Sequence, residues 1–340
     1  MLSSGCSELR LQRKEYALQE ACNGHPPGLV EGGQFQRMRI GCGHVCDWGG
    51  VTSTNVEGMT RIRSDRIATL YLFHPLRRLI GGGAAKVPIL MYHSISENHN
   101  GDSNPYYQTT TAPGVLAEQM RFLHENNYRV INLGEAVKKI EKAEGSTERH
   151  VVITFDDGFR DFYTEAFPVL SRYGFSATVF LPTAFIKESP SKFKGRECLT
   201  WSQVRELWSA GTLFGSHTVS HPQLTTVKPQ ELEMEVRESK RVIEDELGGP
   251  VDSFAYPYAF PEENHSFRRR LRTILPEAGY VNGVSTIIGT AGSRDDRFFL
   301  PRLPMNSWDD LQLFRAKLEA GYDWVHWVQL GNKLIKARLV

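Results

Sequence analysis

Four side chains in this 340-residue chain have the types and spacing of a metal-dependent hydrolase. Asp156 and Asp157 stand in Thr154-Phe155-Asp156-Asp157-Gly158, and two imidazoles stand four positions apart in His217-Thr218-Val219-Ser220-His221. Two histidines and one carboxylate are a usual ligand set for a catalytic zinc, which leaves one position for water. The spare carboxylate can then take that water's proton. Two carboxylates in contact repel, so a bound cation would help to keep both ionised. The competing reading of the first motif is a helix cap with a turn, where Asp-Asp-Gly is common. For the second it is a pair of exposed histidines among capping Ser and Thr.

The elements around these residues must deliver them to one place. Val151-Val152-Ile153-Thr154-Phe155 is apolar and β-branched, so both aspartates arrive at a strand end, and Gly158 lets the chain turn sharply. His217 follows Leu213-Phe214-Gly215-Ser216, again a strand end, and Pro222 discourages a helix through His221. A third strand end carries Tyr256-Pro257-Tyr258. There Pro257 stiffens the backbone, so the Tyr258 amide could face a developing oxyanion while the ring walls the site. Its alternative is a rigid turn with core aromatics.

Along the rest of the body, apolar periodicity predicts strands over 87–93, 128–133, 151–155, 176–181, 212–215 and 252–256. It predicts helices over 113–127, 134–142, 161–173, 201–209 and 229–247. Such alternation implies a mostly parallel sheet with helices outside. Polar residues recurring just after strands suggest a barrel with its chemistry at the C-terminal mouth, with an open doubly wound sheet as the competitor.

The three motifs, in this order, resemble the polysaccharide deacetylase family, the NodB-homology or carbohydrate esterase 4 group, over roughly residues 87 to 305. The resemblance implies a deformed barrel of about seven strands. It also implies Asp156 as general base, Asp157, His217 and His221 as metal ligands, and an oxyanion-binding amide at Tyr258. Val87-Pro88-Ile89-Leu90-Met91-Tyr92-His93 and Phe299-Leu300-Pro301-Arg302 further resemble the branch holding poly-N-acetylglucosamine deacetylases. Two departures stand out. The arginine that opens the family's third motif is replaced by Tyr256, with Arg302 as the candidate substitute in space. The family's Leu-x-His, whose imidazole protonates the leaving amine, has no good match, which leaves His93 or His326 as candidates. The expectation is therefore a zinc-dependent hydrolase that removes N-acetyl groups from N-acetylhexosamine units of a glycan. Its alternatives are a non-catalytic glycan-binding module and a deacylase acting on a non-sugar C–N bond. The aromatics Tyr256, Tyr258 and Trp201 suit a sugar face.

Composition bounds the remaining choices. With 40% hydrophobic and 23% charged residues and a formal net charge of +1, the chain has no excess of either sign to draw nucleic acid or anionic lipid. Its apolar runs are far shorter than the ~20 residues a membrane-spanning helix needs. The N-terminus as written lacks the basic patch and apolar stretch of a secretory signal, and five cysteines leave an odd thiol. Both features favour a reducing, cytoplasmic location, with cell-envelope association as the alternative. Residues 1–58 read as a poorly ordered extension and Met59 as a credible start; 59–86 read as a helical lead-in with a Gly81-Gly82-Gly83 joint, 87–325 as the catalytic domain and 326–340 as a tail. Cys42-Gly43-His44-Val45-Cys46 lacks a second ligand pair at finger spacing and is read as chance.

Overall fold

A computed structural model describes residues 63–80, 86–97, 108–142 and 148–339. The extension 1–58, the start at Met59, the Gly81-Gly82-Gly83 joint and the Cys42–Cys46 segment lie outside them.

Eight strands carry the architecture: β1 (Ile89–Tyr92), β2 (Tyr128–Val130), β3 (Arg149–Phe155), β4 (Thr178–Leu181), β5 (Leu213–Ser216), β6 (Ser253–Ala255), β7 (Asn282–Ile288) and β8 (Leu300–Pro304). Seven of them close into a parallel ring in the order β1-β8-β7-β6-β5-β4-β3 and back to β1, while β2 pairs beside the first half of β3. The closing contact aligns Ile89 with Val152 and Tyr92 with Phe155, which excludes an open sheet. This is the deformed barrel that the resemblance implies. Helices cover its outside, among them Pro113–Glu125, Trp201–Ser209 and Pro229–Leu247.

Strand sequences are apolar on both faces because each strand is buried on both. Ile89, Val152, Phe180, Ala255, Val284 and Leu300 belong to one buried cluster, and Leu90, Val151, Ile153, Val179 and Leu303 to another. Space inside is tight. A Cβ on Gly215 would stand 2.4 Å from the Phe180 ring, so the glycine is required by packing rather than by its dihedral angles. Gly158 meets both demands at once: its φ is +58°, and a Cβ there would approach Leu181 Cδ2 to 2.9 Å.

Register sets the level of the chemistry. Tyr92 pairs with Phe155, and Ser216 pairs with Leu181 on one side and Phe254 on the other. His93, Asp156, His217 and Tyr256 therefore leave their strands at the same C-terminal rim. Further helices, outside the spans that periodicity predicts, stand at His265–Glu277, Leu311–Leu318 and Val325–Leu339.

Candidate active site

Asp156 is 2% exposed and lies in a two-pronged contact with Arg302, Nη1 to Oδ1 and Nη2 to Oδ2, both at 2.7 Å. Arg302 is itself fully buried, and β8, separated from β3 in the ring by β1 alone, presents it. Its Nε donates to Ser285 O at 2.9 Å and Nη1 also reaches Thr154 Oγ1 at 3.2 Å, so the fork is fixed at three points. Two charges buried together are tolerated only with such geometry, because each loses several kcal/mol of hydration. Burial pushes the Asp156 carboxyl up, yet Arg302, with His217 and His93, holds it below the ordinary carboxylate value.

Asp157 turns the other way. It takes a left-handed backbone, φ 70°, and aims Oδ1 at His221 Nε2 (3.2 Å) and His217 Nε2 (3.6 Å). All three residues are at most 4% exposed, and one ligand atom from each falls within 4.8 Å of the others. Asp157 Oδ1 is buried and makes no hydrogen bond. Three buried donors converging on one point, with an acceptor left unsatisfied there, fit a divalent cation better than they fit one another. His217 is prepared for it. His217 Nδ1 lies 2.8 Å from Ala255 O, which requires a proton on Nδ1 and leaves the Nε2 lone pair facing Asp157. Burial also pushes His217 down to about 3, so it is neutral near pH 7. His221 rests between the rings of Phe193 (5.1 Å) and Tyr258 (4.6 Å).

The loop that carries both histidines is held by a residue that motif reading missed. Glu235, from the Pro229–Leu247 helix, accepts Val219 N–H and Ser220 N–H on Oε2, each at 2.8 Å, and the Ser220 hydroxyl on Oε1. It was visible in principle as an acid on the helix's apolar face, among Leu232, Val236 and Ile243. Lys194 was also missed. It occupies the turn between short strands Lys192–Phe193 and Arg196–Glu197, and its Nζ lies 3.2 Å from Asp157 Oδ2. Each oxygen of Asp157 thus faces a different set of groups. Lys194 and Gly195 both have positive φ, the geometry of a type I′ turn, which only the glycine adopts freely.

Backbone strain gathers here. Seven described non-glycine residues have φ in the left-handed region, and five of them, Asp157, Lys194, Thr218, His221 and Tyr258, surround this group. Such conformations cost ~1–3 kcal/mol each and persist where the fold over-determines them.

The remaining residues that the sequence singles out separate into those at the rim and those away from it. His93 is at the rim, with Nε2 3.9 Å from Asp156 Oδ2, and burial lowers its pKa. His326 is not brought there; its Nε2 lies 2.9 and 3.0 Å from the two carboxylate oxygens of Glu262. Tyr258 is half exposed beside His221, its carbonyl accepting from Thr286 Oγ1 at 2.9 Å. Tyr256 and Trp201, read as parts of a sugar face, are instead core residues at 1% and 6% exposure, because Tyr256 packs on Phe260 and Phe267 and Trp201 opens a helix on its buried side. Among those three aromatics, Tyr258 alone meets solvent.

Comparison with known proteins points the same way. Residues 143–282 match the family model described as polysaccharide deacetylase. The Bacillus subtilis protein YxkH, itself assigned to polysaccharide deacetylases, is 28% identical over 236 residues, which cover 69% of this chain and 77% of that protein. Poly-beta-1,6-N-acetyl-D-glucosamine N-deacetylase of Escherichia coli is 34% identical over 103 residues, 27% of this chain and 15% of the relative. Among solved structures, Streptococcus pyogenes deacetylase PplD in complex with acetate superposes with a TM-score of 0.60 at 24% identity, over 69% of this chain and 99% of that one. IcaB from Ammonifex degensii gives 0.55 at 21%, over 70% and 98%. These two structural matches speak for the fold.

Proposed function

From residues 143–282 as polysaccharide deacetylase sequence, we propose that this chain removes N-acetyl groups from N-acetylhexosamine units of a glycan. Asp157, His217 and His221 would hold a divalent ion, zinc by the nitrogen-rich donor set. When bound, that ion supplies polarisation of the acetamide carbonyl and acidification of water.

The chain's own residues supply the rest. Asp156 accepts a proton from the water that attacks the acetamide carbon. The Arg302 fork keeps the carboxylate ionised and aimed, and each oxygen retains a second lone pair for that proton. The Tyr258 amide donates to the carbonyl oxygen as it gains charge. His93, on the neighbouring strand end, protonates the amine nitrogen as the C–N bond breaks, and acetate and a free amine leave. Asp156, 3.9 Å away, favours the imidazolium that this step requires, while burial opposes it. With an imidazole at the rim, the absent Leu-x-His does not argue for a binding-only module.

The observation that carries this reading is the adjacency of an arginine-held aspartate and a converging Asp-His-His group at one barrel rim. Asp156→Asn should keep zinc affinity, measured by chelator competition, and lower acetate release from a zinc-loaded sample ~10²–10⁴-fold on N-acetylglucosamine oligomers. Acetate release at the parent rate, or loss of zinc together with activity, would remove Asp156 from the role of base.

A further inference from the structure

Outside the barrel, two helical segments carry an unusual surface. They are residues 64–80 and the helix Val325–Leu339. Fourteen large apolar side chains are exposed among the described residues; six lie on the first segment and four on the second. Tyr71, Leu79, Ile80 and Trp327 are each more than 70% exposed (76%, 84%, 72% and 71%). Single exposed apolar residues are ordinary, but a concentration on two elements marks an interaction surface.

The two segments form one face. Phe73 stacks on Trp324 at 4.6 Å, Trp324 Nε1 donates to Thr69 Oγ1 at 3.0 Å, and Leu76, Ile80 and Trp327 border the same cavity of about 710 Å³. None of Asp156, Asp157, His217 or His221 borders that cavity.

Positive charge outnumbers negative along the two segments, with Arg66, Arg77, Arg78, Lys333, Lys336 and Arg338 in their sequence against Asp65. Carboxylates at the cavity are engaged within the protein: Glu262 with His326, Asp323 with Lys86 and Thr290, and Asp295 with the Gly292 amide. Arg77 and Arg294 also border it, and Arg78, 62% exposed and 3.9 Å from Glu319, follows on the first segment. The last helix contributes Lys333, Lys336 and Arg338 to the sequence and no carboxylate in its 15 residues. Exposed aliphatic side chains, a tryptophan and a cationic border are what a helix lying in the plane of a bilayer surface presents. The net charge of +1 conceals this, because charge is screened beyond roughly 8–10 Å and only the local surface acts.

We propose that this two-helix face docks onto an anionic lipid surface. The apolar side chains of Tyr71, Leu79, Ile80 and Trp327 enter the headgroup boundary, and Arg78 and Arg294 meet lipid phosphates. A second copy of the chain is the poorer occupant: a two-fold contact would bring together two faces whose helical segments carry more cations than carboxylates.

The test is cosedimentation of the full chain with vesicles of phosphatidylcholine alone and of phosphatidylcholine with phosphatidylglycerol. Binding to the anionic vesicles alone is expected, weakened by salt, and lowered roughly fivefold by each of Arg78→Gln and Arg294→Gln. Ile80→Glu and Trp327→Glu should abolish it while the melting temperature is unchanged. Equal partitioning to neutral vesicles, no partitioning to either, or retained binding in both glutamate variants would overturn the proposal. So would a lipid-free dimer in light scattering that the glutamate variants dissolve, since the face would then be a protein contact.

Discussion

At the barrel rim Asp156, Asp157, His217, His221 and Arg302 are at most 4% exposed, while on the two-helix face Leu79, Ile80 and Trp327 exceed 70%. The two regions invert the usual partition in opposite senses. At the rim, charge is buried because strand register assembles its partners beforehand: Arg302 answers Asp156, and two imidazoles face Asp157. On the helical face, no protein group among the described residues covers the apolar side chains. The difference teaches where each region's free energy lies. Removing a buried charge's partner at the rim is expected to strike the fold, whereas substitution on the face is expected to leave the fold intact.

The largest expected effect comes from breaking the rim's ion pair. Arg302→Met should leave the Asp156 charge buried without its fork and lower unfolding stability by about 3–5 kcal/mol in denaturant titration. A loss below about 1 kcal/mol would mean that the rim is more hydrated than its burial implies.

Asp161 sharpens the comparison, because it sits near the same rim without an arginine fork; the Ser94 hydroxyl donates to it and burial pushes its carboxyl up to about 6. The sign is opposite to that of Asp156. A carboxyl raised from 3.8 to about 6 favours the folded state when protonated, so its contribution is complete below pH 3.8 and is lost as pH rises through about 6. Asp161→Asn should remove that slope, which amounts to about 3 kcal/mol at most. Equal pH slopes for variant and parent between pH 4 and 7 would count against the burial assigned to this group.

Glu235→Ala should cost about 1–3 kcal/mol, since two partly buried loop amides lose a charged acceptor. It should also weaken binding of the proposed divalent ion, assayed with zinc, ~10-fold, as expected when the support of ligating residues is lost. Zinc affinity equal to the parent's would show that the histidine loop holds itself. Smallest of all, Trp327→Glu should change unfolding stability by no more than about 0.5 kcal/mol, the range of ordinary surface substitutions. A larger loss would make the helical face part of the core.

Much of this was legible from residue order. The Val151–Phe155 run announces a buried strand, and the helices Trp201–Ser209 and Pro229–Leu247 match their periodic spans. The Asp and His motifs are short and contiguous, so local pattern is enough to find them. Other features could only be named as candidates, because they depend on contacts between residues far apart along the chain. Arg302 and Asp156 are 146 residues apart, and ring closure through β8, β1 and β3 is what joins them. His326 was equally eligible by composition, yet it turns to Glu262, while His93 reaches the rim because β1 pairs with β3. Tyr256 and Trp201 looked suited to a sugar, but side-chain type does not report which face of an element is covered.

By itself, then, the sequence determined the alternating strands and helices, the four groups capable of metal-assisted hydrolysis and the family they resemble, because periodicity and motif spacing are local properties. Tertiary structure alone decided that Arg302 grips Asp156, that Glu235 braces the histidine loop, that His93 rather than His326 stands at the rim, and that two helices share one apolar, cationic face. Those are relations between segments distant in the chain, and burial and charge pairing exist only once such segments have met.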